Sequence, residues 1–239
     1  MDIDQAIFTS ACTNRMKGYQ LIAQSAGVKG NLAQKLSLWS PSQSALLETD
    51  TNYQSINFFP LGGGHFGISR TIYGGPEYSN RGALQTVTLI LLVSREQLGG
   101  YEFNPLSFAK TAQTFGYLRL PTAMPTSLPR IALPQIQPLT IANMPTELSE
   151  RNGSLVDRVT RLLEEDQCVA VTGSKDPLTT LGRILLRTPA EQRLSLSFTT
   201  GLRPSGSRPF RIHFLAEVDV PAHSKLAALD IARVASDPH

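Results

Sequence analysis

Six side chains able to bind a ligand or move a proton fall within one short stretch: His65, Arg70, Tyr73, Glu77, Tyr78 and Arg81. Tyrosine gives large contact area at low entropic cost, and arginine gives several fixed donors, so this mixture suits recognition. Glu77 lies between the two arginines in sequence, which leaves two readings open. The stretch is a binding surface, or it is a structural loop in which Arg70 and Arg81 pair with Glu77. His65 sits among glycines and polar groups, where an acid–base role is chemically accessible. No G-x-S-x-G elbow accompanies it.

A second basic set, Arg203, Arg208 and Arg211, falls within a long interval free of acids, between Glu191 and Glu217. It reads either as a solvated loop or as a contact for an anion or acidic partner. The other histidines suggest less. His213 alternates with Ile212 and Phe214 and is expected on the exposed face of a strand. His223 falls near a helix start, and His239 is terminal. No H-E-x-x-H, paired histidine or carboxylate cluster suggests a metal. No catalytic residue and no cofactor is expected.

Two phosphate-binding patterns are met in form only. Gly62-Gly63-Gly64-His65-Phe66-Gly67 matches G-x-G-x-x-G, but the dinucleotide fingerprint needs a helix after the glycines. Here ISRTIY follows, β-branched and strand-like, so a hairpin turn is expected. Val171–Lys175 precedes a helix, yet glycine and lysine are missing where a phosphate loop requires them. Asp176 already supplies a negative cap there; a structural cap and an anion site remain the alternatives.

The elements that must position these residues follow from pattern. Strands are expected over Ala6–Ala11, Tyr19–Gln24, Ser55–Phe59, Phe66–Tyr73 and Leu84–Val93, the middle ones joined by glycine turns. Leu84–Val93 is an almost unbroken apolar run and should be a central strand covered on both faces. Asn31 is expected to cap a helix Leu32–Leu38, and Pro41 to open another, Ser42–Leu47, with Trp39 packed between. Ser94 caps a short turn of helix, and Asn104-Pro105 starts Leu106–Phe115. Six prolines between 118 and 146, with charge limited to Arg119 and Arg130, mark a connector pinned along a surface. Beyond it come a helix Leu155–Glu165 capped by Ser154, a strand Cys168–Thr172, and a helix Pro177–Leu186 capped by Asp176. A turn at Pro189, strands Leu194–Thr200 and Phe210–Ala216, and a terminal helix His223–Val234 follow.

The expected class is therefore α+β, with an antiparallel-sheet-rich N-terminal half and a smaller mixed α/β C-terminal layer. The expected division is residues 1–117, a connector 118–146, and residues 147–239, which together could form one continuous unit.

Composition narrows the function classes. The chain has 239 residues, 41% hydrophobic and 17% charged, which is globular composition. A net charge of +3, spread thinly, is no nucleic-acid signature. The longest apolar run, Val87–Val93, is too short to span a bilayer. Cys12 and Cys168 are far apart in sequence and read as small buried strand residues. The opening MDIDQAIF lacks the charged region of a secretory leader, so a cytoplasmic, reduced setting is expected.

FTSA (Phe8–Ala11), GYQLIAQSAGV (Gly18–Val28), INFFPL, SRTIYGGPEYSNRGALQTVTLILL and RLSLSFTTGLRPSGSRPFRIHF (Arg193–Phe214) together resemble the type 2 N-terminal domain of GTPase-associated protein one. That family belongs to bacterial GTPase-centred conflict systems. The resemblance implies a non-catalytic adaptor working beside a GTPase or another component of such a system, often as the front part of a longer protein. On this reading the partner is a protein, and His65, Arg70, Tyr73, Glu77, Tyr78, Arg81, Arg203 and Arg208 are the candidate binding residues. The alternative is an enzyme or binding domain handling a nucleotide or phosphorylated ligand.

Overall fold

A computed structural model describes residues 1–13, 16–77, 84–134, 153–216 and 220–236. The described strands form one mixed sheet of ten, in the order β10-β7-β9-β8-β3-β4-β5-β1-β2 with β6 paired to β1. In chain order these are β1 Asp2–Cys12, β2 Lys17–Gln24, β3 Gln54–Gly62, β4 His65–Pro76, β5 Leu84–Ser94, β6 Ile131–Ala132, β7 Cys168–Thr172, β8 Phe198–Thr199, β9 Ile212–Leu215 and β10 Ile231–Ala235. The described helices are α1 Gly30–Trp39, α2 Arg95–Gly99, α3 Pro105–Thr114, α4 Gly153–Glu164, α5 Pro177–Arg187 and α6 Val220–Ala228, with a 3₁₀ turn at Ala190–Ser195. The fold is α+β, and its N-terminal half is strand-rich.

The N-terminal half is antiparallel. β3, β4 and β5 form a meander, and β1 inserts between β5 and β2. The C-terminal half is parallel, with β10, β7, β9 and β8 all running the same way. Pairing of β8 with β3, antiparallel, welds the halves into one sheet. Parallel neighbours need crossovers: α5 lies in the connection from β7 to β8 and α6 in that from β9 to β10, while α4 precedes β7.

Strand alternation sorts side chains between two faces. Val87, Leu89, Leu91 and Val93 of β5 join Ile56, Phe58, Ile68 and Ile212 on one face, covered by α3, α4 and α5. Ile90 and Leu92 turn to the other, where Phe8, Phe59 and Leu61 meet Leu36 of α1. β5 is thus a central strand buried from Thr86 to Val93, as its apolar run requires.

Local chemistry explains most boundaries. Gly62, Gly63 and Gly64 have φ of 78°, 61° and 73°, a left-handed run that closes the β3–β4 hairpin. Gly67 serves packing: a Cβ there would meet the Phe59 ring at 2.3 Å. The apparent dinucleotide fingerprint is therefore a turn plus a contact. Ser94 and Gln97 form a reciprocal capping box on α2, and the Asn104 side chain accepts from the amides of Leu106 and Ser107 at the start of α3. The proline-rich segment is described as far as Leu133–Pro134. It is pinned to the β1–β2 region: Pro129 accepts hydrogen bonds from Gln5 and Ser25, and the Leu133 amide donates to Met1.

Several expectations need correction. α1 begins at Gly30 and has no side-chain cap; Asn31 lies inside its first turn. Ser42–Leu47 is not a helix. Leu46 forms a bridge with Leu202, and the segment is held by backbone bonds to 201–203. Leu194–Thr200 and Phe210–Ala216 yield much shorter strands, because the 3₁₀ turn takes Leu194 and Ser195. The expected terminal helix ends at Ala228, and Ile231–Ala235 becomes β10, drawn into the sheet by pairing with β7. Cys12 is exposed and Cys168 partly exposed, since each lies at an end of its strand.

Candidate functional site

The two faces of the sheet separate the residues that sequence proximity groups together. Arg70 lies on the face of α3. Its Nε donates to Gln54 Oε1 at 2.6 Å and its guanidinium to the Leu118 carbonyl at 3.0 Å. Burial, and then the nearby Arg119, lower its pKa. Tyr73 lies on the opposite face, its hydroxyl donating to the Glu48 carbonyl at 2.9 Å. Burial raises its pKa, against a partial lowering by Arg203. His65 is remote from both, paired with Ser94 where β4 begins. Glu77 accepts from the Ser10 hydroxyl at 2.9 Å. Tyr78 and Arg81 lie outside the described residues. Arg70, Tyr73 and His65 therefore form no single cluster, whereas Tyr73 and Arg203, distant in sequence, are electrostatic neighbours.

Arg203 and Arg208 belong to a loop with a built interior. The Arg203 amide donates to the Ala45 carbonyl at 2.8 Å, and the Leu47 amide to Gly201 at 3.0 Å. The Arg203 guanidinium reaches the carbonyls of Leu46 at 3.2 Å and Leu47 at 2.8 Å. A tight turn then joins Ser205 to Arg208, with the Ser205 and Ser207 hydroxyls 2.9 Å apart. Phe210 anchors the loop's far end, meeting Trp39 edge-on at 5.0 Å and Phe59 at 6.4 Å between ring centres.

Between this loop, the 42–45 segment and α6 opens a cleft of about 500 Å³. Arg203, Arg208 and Lys225 bring positive charge to it, and Ser42, Ser44, Ser205 and Ser207 bring hydroxyls. No acidic side chain lines it among the described residues. Ser44 holds φ of 61°, a left-handed conformation uncommon outside glycine. Arg208 is the unusual member: its Nε is buried with no hydrogen-bond partner, and burial lowers its pKa. A desolvated guanidinium without an anion is costly. Arg211 differs, bonding the Leu163 carbonyl at 2.9 Å and pairing with Asp166 at 3.0 Å away from the cleft.

Beneath the loop the same face carries a buried polar row. Asn57 Oδ1 accepts from Ser55 at 2.7 Å and Thr199 at 2.6 Å, while its Nδ2 donates to Ser69 at 3.1 Å and Thr71 at 3.3 Å. Thr71 continues to Thr88 at 3.1 Å. Thr199 is paired in register with His213 on β9. His213 is 1% exposed, which corrects its expected surface position. Its alternate face is covered by Phe210, whose ring stands edge-on at 5.8 Å. Burial drives its pKa down to about 4, reinforced by Arg208 and opposed by a backbone hydrogen bond with Phe210. Its Nδ1 has no partner.

At the start of α5, Asp176 Oδ1 accepts from the Thr179 amide at 3.0 Å and Oδ2 from the Thr179 hydroxyl at 2.6 Å. Burial opposes its charge, but these bonds hold its pKa below the ordinary carboxylate value. The carboxylate thus occupies the helix N-terminus as a structural cap. Among the described residues, no group of three or more His, Cys, Asp or Glu side chains is placed to hold a metal ion.

Residue-level pattern missed Ser42, Ser44, Lys225 and His213. A signal for the serines exists: SPSQS at 40–44 and RPSGSR at 203–208 are two proline-broken, hydroxyl-rich segments. Nothing in the sequence says that they face each other.

The fold and cleft define a mixed-sheet α+β domain with a polar, cation-lined surface loop. The model of the family described as GTPase-associated protein 1, N-terminal domain type 2, matches residues 2–134, and the chain belongs to that family. No curated protein and no solved structure matches it. The matched residues contain β1 to β6; the loop 201–210 and α6, which complete the cleft, lie beyond them. No helix among the described residues is long and apolar enough to cross a membrane.

Proposed function

We propose that this chain is a non-catalytic interaction module, an adaptor within a GTPase-associated bacterial assembly that serves defence in the cytoplasm. The observation that carries the reading is the family match over residues 2–134. The mode of action, contact through side chains of the sheet surface, is supported by how those side chains are held. Tyr73 is fixed to the Glu48 carbonyl and Glu77 to Ser10, so each meets a partner with little further ordering to pay. The partner is a GTPase or another component of its system.

The test is capture from native cells with the tagged full chain, followed by assay of the recovered proteins for GTP hydrolysis. Recovery of a GTPase is the expected result. Tyr73→Ala should lower its retention about tenfold or more if Tyr73 is a hot spot, with Tyr73→Phe retaining most of it. Equal retention by wild type and Tyr73→Ala rejects this surface; recovery without GTPase activity or a GTPase-bound component rejects the adaptor assignment.

A second reading, a domain that holds a phosphorylated ligand, is favoured by one observation: the cleft carries Arg203, Arg208 and Lys225 with no lining acid among the described residues.

A further inference from the structure

We propose that the cleft between the 42–45 segment, the 203–208 loop and α6 binds the phosphate group of a small phosphorylated organic ligand. The proposal rests on the second reading above and is independent of the adaptor role.

Three features converge. The first is charge. Arg208 and Lys225 approach from different elements, and Arg208 Nε is buried without any partner. An anion is the group that would complete its hydrogen bonding, and a phosphate accepts from guanidinium with matched geometry. Lys225 stands exposed at the rim, a mobile point charge suited to a second phosphoryl oxygen. The second is the supply of neutral donors. Ser42, Ser44, Ser205 and Ser207 line the same space, and hydroxyls turn freely to meet acceptor oxygens. The third is rigidity. Arg203 is tied to Leu46 and Leu47, Phe210 is locked in the aromatic cluster, and the turn between closes on itself. The site is therefore formed before the ligand arrives.

Size separates the ligand classes. A cleft of about 500 Å³ is of the volume that takes a small organic molecule, well above the need of a lone ion. Ala45 and Leu229 supply apolar wall beside the polar donors, a place for the organic part. An acidic side chain of a partner protein shares the negative charge but would leave most of the cleft's volume unfilled.

Isothermal titration calorimetry of the full chain with inorganic pyrophosphate tests the site. Wild type should show one saturable site whose affinity falls as salt is raised. Arg208→Met should weaken it at least about tenfold, and Lys225→Glu should weaken it as well. Arg208→Met also removes an unpaired buried cation, so its melting temperature should be unchanged or higher than wild type. A merely structural arginine would give the opposite, a lowered melting temperature with pyrophosphate binding intact. Absence of saturable binding, or equal binding by wild type and Lys225→Glu, overturns the proposal even where Arg208→Met does not fold. A glutamate-rich peptide that outcompetes pyrophosphate overturns it in favour of an acidic protein partner. None of these outcomes bears on the GTPase capture, so the two readings fail separately.

Discussion

The two faces of the sheet are built on different physics. On the face covered by α3, α4 and α5, apolar side chains such as Phe58, Leu89, Leu91 and Phe198 interlock with the helices. Stability there is non-directional and scales with buried area. The opposite face has a smaller apolar cluster around Trp39, Phe59 and Phe210, and beside it the row from Thr88 through Asn57 to His213. Stability on that face depends on every polar atom finding its partner, since an unmade bond in a low-dielectric interior costs more than a made one contributes. Unpartnered buried atoms occur on both sides: Thr86 Oγ1, Arg208 Nε and His213 Nδ1 on this one, and Thr160 Oγ1 in the helix layer that covers the other. One face closes the core through apolar contact, while the other carries the polar row, and the cleft opens there.

Three measurements would break or sharpen the contrast. The largest effect is expected on the helix-covered face. Phe58 is fully buried, stacked on Phe66 at 5.3 Å and tilted against Phe198 at 5.8 Å. Phe58→Ala should cost about 4 kcal/mol in denaturant unfolding, by lost transfer energy and a residual cavity. A loss near that of an exposed site would mean this face is not the main source of stability.

The second effect is one of pH. His213 has a folded pKa of about 4 against an ordinary 6.5. Between those values the unfolded chain binds more protons than the folded one. Stability is therefore full above pH 6.5, falls as pH drops toward 4, and levels off below it, with a total of roughly 3 kcal/mol. Urea midpoints taken across that range should show the slope in wild type and a shallower one in His213→Leu. Identical slopes would place the acid sensitivity of that range on a group other than His213.

The smallest effect is in the polar row. Asn57→Ala should cost about 2 kcal/mol, less than the sum of its four bonds. Ser55 and Thr199 lie 3.1 Å apart, as do Thr71 and Thr88, so their hydroxyls can turn to each other. Asn57→Leu, which fills the volume and leaves those hydroxyls facing a methyl group, should be no better tolerated than Ala. A neutral or stabilising Asn57→Leu would show that the row behaves as an ordinary core.

Much of the antiparallel half was legible in the chain. The β5 run and the glycine turn at Gly62–Gly64 placed β3, β4 and β5, and capping residues placed α2, α3 and α5. These signals are local: a left-handed φ demands glycine, an orphan amide demands a cap, and an unbroken apolar run demands cover on both sides. The family resemblance, too, rested on contiguous segments, four of them in this half and one, Arg193–Phe214, in the other.

The parallel half and the site were decided by tertiary contact. Ile231–Ala235 has the composition of a helix end, yet becomes a strand because β7 offers an unpaired edge. Alternation with Ile212 and Phe214 gives the face of His213 but not what covers that face, and the loop anchored by Phe210 is what buries it. Arg70, Tyr73 and His65 are near in sequence and fall apart because alternation along β4 sends them to different faces and ends. Ser44, Arg203, Arg208 and Lys225 are distant in sequence and share one cleft because 42–47 is bonded to 201–203 and the 203–208 loop meets α6. By itself the sequence determined which segments extend, turn and cap, since those forces act within a few residues. Which side chains meet was settled by the pairing of strands and the packing of loops, whose partners lie more than a hundred residues away.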